Sequence, residues 1–163
     1  MKEEEGITRI SVRNLVEFVL RSGDLDNRRT AGAQKEAMQA GSRLHRKIQK
    51  RMGANYQAEV SLKHTFWVEG IGIQVEGRAD GILTEPGGVT VDEIKCLYMD
   101  LEELTEPIPV HLAQAMCYGY LYGLDRQLSS IAFQITYCNI ESEEIRRFRS
   151  ERSWEELECW FTG

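Results

Sequence analysis

The chain has 163 residues, 42% of them hydrophobic and 28% charged, with a formal net charge of −6. That length and balance suit one globular domain with a real core. The negative charge argues against a protein that coats nucleic acid non-specifically, and no apolar run approaches the ~20 residues of a membrane span.

The N-terminal MKEEEG lacks the apolar core of a signal peptide, so a cytoplasmic location is expected. A helix is predicted from about Val12 to Leu20, capped by Ser11 and broken by Ser22-Gly23-Asp24. A long helix follows from about Thr30 to Met52. Ala37, Gly41, Leu44 and Ile48 form its buried stripe. Strands are expected over Tyr56–Glu69, Ile71–Leu83 and Val89–Leu97, rich in β-branched and aromatic residues. Asp100 to Pro107 reads as an acidic loop or a short helical turn. Pro107 and Pro109 then start a helix that runs to about Tyr122 and is closed by Gly123. Two more strands, Ser129–Ile140 and Glu144–Phe148, precede a last helix, Trp154–Phe161, with a capping box on Ser153 and Glu156. The order predicts an α/β (α+β) domain around one mixed sheet. The final aromatic helix has little left to pack on if the chain stops at Gly163, which points to a piece of a longer protein.

Cys96, Cys117, Cys138 and Cys159 show no metal-ligand spacing and are expected as free thiols. Basic residues collect at Arg43, Arg46, Lys47, Lys50 and Arg51, and again at Arg146, Arg147, Arg149 and Arg152. Taken alone they are solvated faces.

Chemistry concentrates in the stretch from Gly77 to Lys95. Thr84-Glu85-Pro86-Gly87-Gly88 carries turn residues, and a hairpin centred between Pro86 and Gly87 sets position i against position 173 − i. Asp80 then faces Glu93, and Lys95 shares their side of the sheet. Two opposed carboxylates with an ammonium beside them suit a hard cation and developing negative charge. Asp92 faces away and is a second-best ligand candidate. His64 and His111 read as structural.

In order along the chain stand Gly41-x-x-x-His45, Gly77-Arg78-x-Asp80-Gly81, Asp92-Glu93-x-Lys95 and Gln114-x-x-x-Tyr118. This order resembles the PD-(D/E)XK nuclease superfamily, specifically its RecB-like branch, over about His45 to Tyr118. The resemblance implies a restriction-endonuclease-like αβββαβ core and a metal-dependent deoxyribonuclease, exo- or endonuclease. It assigns Mg²⁺ or Mn²⁺ to Asp80, Glu93, the backbone carbonyl of Ile94 and His45. Lys95 would position the attacking water, and Gln114 would orient Lys95 or the substrate. Arg43, Arg46, Lys47 and Lys50 would track DNA, and Tyr118 would support its helix or touch DNA. Ala79 stands where the family name has Pro, at a position that varies in the family. Gln49 stands where many members carry a carboxylate, which puts a second metal site in doubt. The cysteines of the four-cysteine relatives are absent, so no iron–sulfur cluster is expected.

More narrowly, SVRNLVEFVLRSGDL, GSRLHRKIQKRMGANYQAEV, GRADGI and the closing Ser-Trp-Glu-Glu-Leu resemble the nuclease domain ahead of a DinG/XPD-like bacterial helicase. That implies a role in DNA repair or recombination, single-stranded or flapped DNA as substrate, and a helicase partner in the same or another chain. No Walker motif occurs, so the chain is not itself the helicase. Two other classes stand beside this one: a catalytically silent nuclease fold that binds DNA or docks a protein, and an unrelated metal-dependent hydrolase of small phosphoesters.

Overall fold

The computed structural model describes residues 6–20 and 31–163, with side chains in the second helix described from Met38 onward. The elements are β1 (Ile7–Ser11), α1 (Val12–Leu20), α2 (Ala31–Lys50), β2 (Tyr56–Val68), β3 (Ile71–Glu85), β4 (Gly88–Leu97), a 3-10 turn at Leu101–Glu103, α3 (Pro109–Gly123), β5 (Ser130–Asn139), β6 (Ile145–Ser153) and α4 (Trp154–Thr162). The expected elements are present, with ends shifted by a few residues. β1 is an addition: ITRIS is too short to announce itself by alternation, and it forms by pairing in parallel with β3. The expected breaker at Ser22-Gly23-Asp24 and the Thr30 start of the long helix lie outside the described residues.

The strands make one mixed sheet in the order β1-β3-β4-β5-β6, with β2 also on β3. β2 runs antiparallel along β3 from Ile71 to Leu83 and so occupies one whole edge of it. β1 and β4 share the other edge. β1 holds Gly72–Glu76, and β4 holds Gly81–Glu85. Between them Gly77-Arg78-Ala79-Asp80 pairs with neither, so the sheet has a seam there.

Helices cover both faces. α1, α3 and α4 share one large core with the sheet, in which Val12, Ala115, Phe133, Ile135 and Leu157 are fully buried. α3 is apolar on nearly every side, as a helix between a sheet and other helices has to be. α2 packs alone on the opposite face through Leu44 and Ile48 against Ile94 and Cys138. Two such side chains contribute about 1.5–3 kcal/mol each. α2 is thus held mainly over the C-terminal part of β4.

Caps hold the helix starts. Ser11 Oγ accepts the Asn14 N–H at 3.0 Å. Ser153 and Glu156 form the reciprocal capping box expected of α4. The expectation that α4 lacks packing partners is corrected. Trp154 and Phe161 stack on Tyr120 with centroids 5.2 and 4.3 Å away, and Phe161 also meets Phe66 at 5.3 Å. Trp160 remains exposed.

β3 changes face at the seam. Ala79 and Ile82 both enter the large core, although an odd spacing in a regular strand puts residues on opposite faces. The break falls at Asp80. Directly across β2, Glu59 sits between the pairs Ala58↔Gly81 and Val60↔Ala79 and has φ +55°. Both strands therefore leave regular geometry at the same level.

Candidate active site

The β3–β4 hairpin pairs Glu85 with Gly88 and Gly81 with Asp92, the register expected from the turn. The ladder stops there, one step before Asp80 and Glu93. Past it the strands part, and the Asp80 carboxylate reaches across the gap: Oδ2 accepts the Ile94 N–H at 2.7 Å. The parted strands, α2 and Arg13 of α1 enclose a cleft of about 800 Å³ that includes His45, Gln49, Glu59, Asp80, Glu93 and Lys95.

Each side chain arrives for a local reason. His45 follows Leu44 on α2 and precedes Ile48 by three, so burying those two leaves the imidazole at the edge of the sheet. Its Nε2 lies 3.0 Å from Asp80 Oδ1. This hydrogen bond raises the His45 pKa, and burial opposes the rise. Glu93 and Lys95 alternate on β4, and Lys95 Nζ lies 3.1 Å from Glu93 Oε2. Glu93 is 5% exposed, and its other oxygen, Oε1, has no hydrogen-bond partner. Burial, then repulsion from Asp80, raises its pKa to about 7 despite Lys95.

From α3, Gln114 is equally buried, and its Oε1 also lacks a partner. Tyr118, one turn on, is packed inside, 8% exposed, with its ring over Gly77. A Cβ at Gly77 would lie 2.9 Å from the Tyr118 ring, so the absence of a side chain there is what admits it. Of the two roles expected for Tyr118, support of its helix or contact with DNA, burial favours the first.

The basic residues of α2 divide. Arg46 lines the cleft together with Arg13 and Arg78. Arg43, Lys47 and Lys50 are exposed but lie outside the cleft wall, and Lys47 pairs with Glu143 at 3.1 Å. Arg78 Nε is 3.2 Å from Glu59 Oε1.

Asp92 is as buried as its neighbour but fully engaged. Tyr56 Oη donates to Oδ2 at 2.7 Å, while Thr136 Oγ1 and Gln134 Nε2 donate to Oδ1 at 2.7 and 3.2 Å. It is spent on structure. His64 packs edge-on against Phe66. The Tyr137 hydroxyl accepts the Ile108 N–H and shares a 2.8 Å hydrogen bond with His111 Nδ1. Burial and the nearby Lys95 lower the His111 pKa to about 3. Neither histidine lines the cleft that holds His45, Asp80 and Glu93.

Sequence reasoning missed Glu59 and did not reveal what Gln49 bonds. Gln49 Nε2 donates to Glu59 Oε2 and to the Asp80 carbonyl, both at 2.8 Å. His45, Glu59 and Asp80 offer ligand atoms within 4.8 Å of one another. An apolar cavity of about 320 Å³ beneath α1 and α4 is lined, among the described residues, by one thiol, Cys117, and by no acid or base.

No family model matches the chain, and no curated protein matches it. Among solved structures it is similar to SSO0001, at 22% identity and a TM-score of 0.59, over 91% of this chain and 68% of that one. It is also similar to an alkaline exonuclease (LHK-Exo) from Laribacter hongkongensis, at 15% identity and a TM-score of 0.53, over 94% and 84%. The fold is thus of the restriction-endonuclease-like class, a mixed sheet flanked by helices. No helix among the described residues is long and apolar enough to cross a membrane.

Proposed function

We propose that the chain is a divalent-cation-dependent DNA nuclease, of the RecB-like kind, that hydrolyses phosphodiester bonds in the cleft between β3, β4 and α2. The observation that carries this reading is Glu93. A carboxylate this buried, with one oxygen unpartnered and a second carboxylate beside it, is expensive to keep without a ligand. A hydrogen-bonded core acid such as Asp92 has no such deficit.

The residues fit a Mg²⁺ or Mn²⁺ ion. Asp80 and Glu93 offer carboxylate oxygens, His45 an imidazole nitrogen, and Ile94 its carbonyl. Bound there, such an ion neutralises phosphate charge and lowers the pKa of water. Lys95 sits beside Glu93, where it holds the attacking water and offsets charge growing on the scissile phosphate. The water attacks phosphorus, the bond to one ester oxygen breaks, and that oxygen leaves with a proton. Gln114, from α3, orients Lys95 or the substrate, as the sequence resemblance implies. Arg13, Arg46 and Arg78 face the incoming backbone phosphates. Among the α2 residues expected to track DNA, Arg46 keeps that role here. Arg43, Lys47 and Lys50 extend the positive surface beside it.

The exonuclease neighbour supports a nuclease over a silent module, as does the intact Asp80, Glu93 and Lys95 set. A DNA repair or recombination setting, single-stranded or flapped DNA, and a helicase in the same or a partner chain belong to this proposal through the sequence resemblance. Labelled single- and double-stranded DNA incubated with Mn²⁺, Mg²⁺ or EDTA tests it. Metal-dependent cleavage that disappears in Asp80→Ala and in Lys95→Ala is expected. Equal residual cleavage in both variants would sink the assignment.

A further inference from the structure

The arginine run of β6 is divided by the strand itself. Arg146 turns to the large core, its guanidinium 5.0 Å from the centre of the Phe148 ring, and Arg152 lies by Glu156 and Trp160 of α4. Ile145 packs with Cys138, Leu44 and Ile48 under α2, so Arg147 and Arg149, two and four residues on, share the face that carries α2. There they meet cations from the helix. Burial and Glu143 raise the Cys138 pKa, and Arg51, Arg147 and Lys47 pull against them, so the three charges gather around one thiol. Arg147 Nη2 also donates to Met52 Sδ at 3.7 Å. We propose that Arg51, Arg147 and Arg149 form a second nucleic-acid contact surface, outside the cleft and across α2 from it, which takes backbone phosphates of the DNA strand that extends beyond the point of cleavage. This rests on the nuclease reading above and deepens it by giving that strand a path.

Three observations support the surface. First, its guanidiniums are exposed and unspent: among the described residues none of the three has a carboxylate partner, whereas Lys47 beside them is held by Glu143. They gather in a chain whose net charge is −6, so the patch does not follow from a generally basic composition. Second, the chemistry suits phosphate. Arg147 and Arg149 stand about 7 Å apart on one face of an edge strand, close to the step between successive phosphates of a nucleic acid strand. A guanidinium binds each phosphate with two parallel N–H bonds. Third, the surface continues from the cleft. Arg46 lines the cleft, Lys50 is exposed one turn on, and Arg51 follows in the turn that closes α2. A helix is about 10 Å thick, so a strand leaving the cleft crosses α2 within a few nucleotides. An acidic peptide would meet the same charges. The unbroken run of cations from the cleft decides for DNA.

The test varies the length of the DNA. Fluorescein-labelled single strands of about 6 and about 25 nucleotides, bracketing the site sizes of strand-binding domains, are bound to the full chain in EDTA and followed by anisotropy, so the reading needs no cleavage. The triple variant Arg51→Ser, Arg147→Ser, Arg149→Ser is expected to bind the longer strand about tenfold more weakly at about 0.1 M salt, with a log–log salt slope shallower by about 2, at ~0.7 per lost phosphate contact. The short strand is expected to bind both proteins alike. Lysine at all three positions keeps the charge and is expected to restore most of the affinity, and a melting curve of the serine variant separates a folding defect from a lost contact. Equal binding of the longer strand by the unaltered and serine-substituted proteins overturns the surface, as does an equal loss on both lengths. Cleavage of the short strand in Mn²⁺ reports on the cleft separately. If it occurs while the arginines prove irrelevant, the surface falls and the nuclease reading stands. If it never occurs while the longer strand still depends on the arginines, the nuclease reading falls and the surface remains.

Discussion

Asp92 and Glu93 are adjacent on one strand, equally buried, and opposite in fate. Asp92 has a donor for every direction: a phenol, a hydroxyl and an amide, drawn from β2 and β5. Glu93 has one ammonium and an oxygen that faces nothing. The first arrangement is complete within the protein. The second is complete only with something added. Two acids that look alike in sequence are therefore separated by what each lacks, and the lack marks the site.

That contrast can be broken in four places. The largest expected effect is on catalysis: Asp80→Ala lowers cleavage about a thousandfold, roughly 4 kcal/mol of barrier, while the protein stays folded at a cost of about 1–2 kcal/mol for the Ile94 N–H left without its partner. A cleavage assay beside a melting curve reads both. If Asp80→Ala instead unfolds the protein, the site is structural. Next, Asp92→Ala strands the hydroxyls of Tyr56 and Thr136 and costs about 3 kcal/mol of stability, a melting temperature lower by roughly 10 °C. Its Mn²⁺ stoichiometry stays at the unaltered value, and a lost ion would move Asp92 into the metal site.

The third effect has the opposite sign. The Glu93 pKa is raised from its ordinary 4.5 to about 7, so the folded state holds a proton that the unfolded state has released. Stability without metal therefore falls as pH rises from about 4.5 to 7 and stays reduced above. Glu93→Gln removes that dependence. At pH 8 without metal it is expected to melt about 5 °C higher than the unaltered protein, on the order of 2 kcal/mol, and near pH 4 the two should coincide. A lower melting temperature at pH 8 would contradict the cost assigned to the buried charge. Smallest is Gln114→Met, which replaces an unsatisfied amide by an apolar chain of similar length. Urea unfolding should show it neutral or more stable by up to about 1 kcal/mol.

Much of this was legible in the sequence. The Pro86-Gly87 turn set the register, because a hairpin with Gly at the needed positions has few alternatives. Leu44 and Ile48 placed His45 against the sheet, because helical period fixes the neighbours of a buried stripe. Glu59 was not legible. Its place depends on pairing between β2 and β3 and on a positive φ that no neighbouring glycine announces. The burial of Tyr118 was not legible, because it depends on Gly77, forty-one positions earlier and in contact only after folding. Gln49 read as a missing carboxylate. In three dimensions it holds the acid that stands beside it.

The seam in the sheet has a consequence for motion. β3 belongs to two half-sheets, one with β1 and one with β4, and Gly77–Asp80 joins them without a partner on that edge. A sheet with every ladder closed moves as a plate. This one has a crease, and the crease runs through the residue that faces both His45 and Glu93. Twisting one half-sheet against the other changes the spacing of those donors. Amide hydrogen exchange along β3 should locate the crease directly: of Arg78 and Ala79, the one whose amide points away from β2 should exchange faster than Leu83 on one side and Val75 on the other.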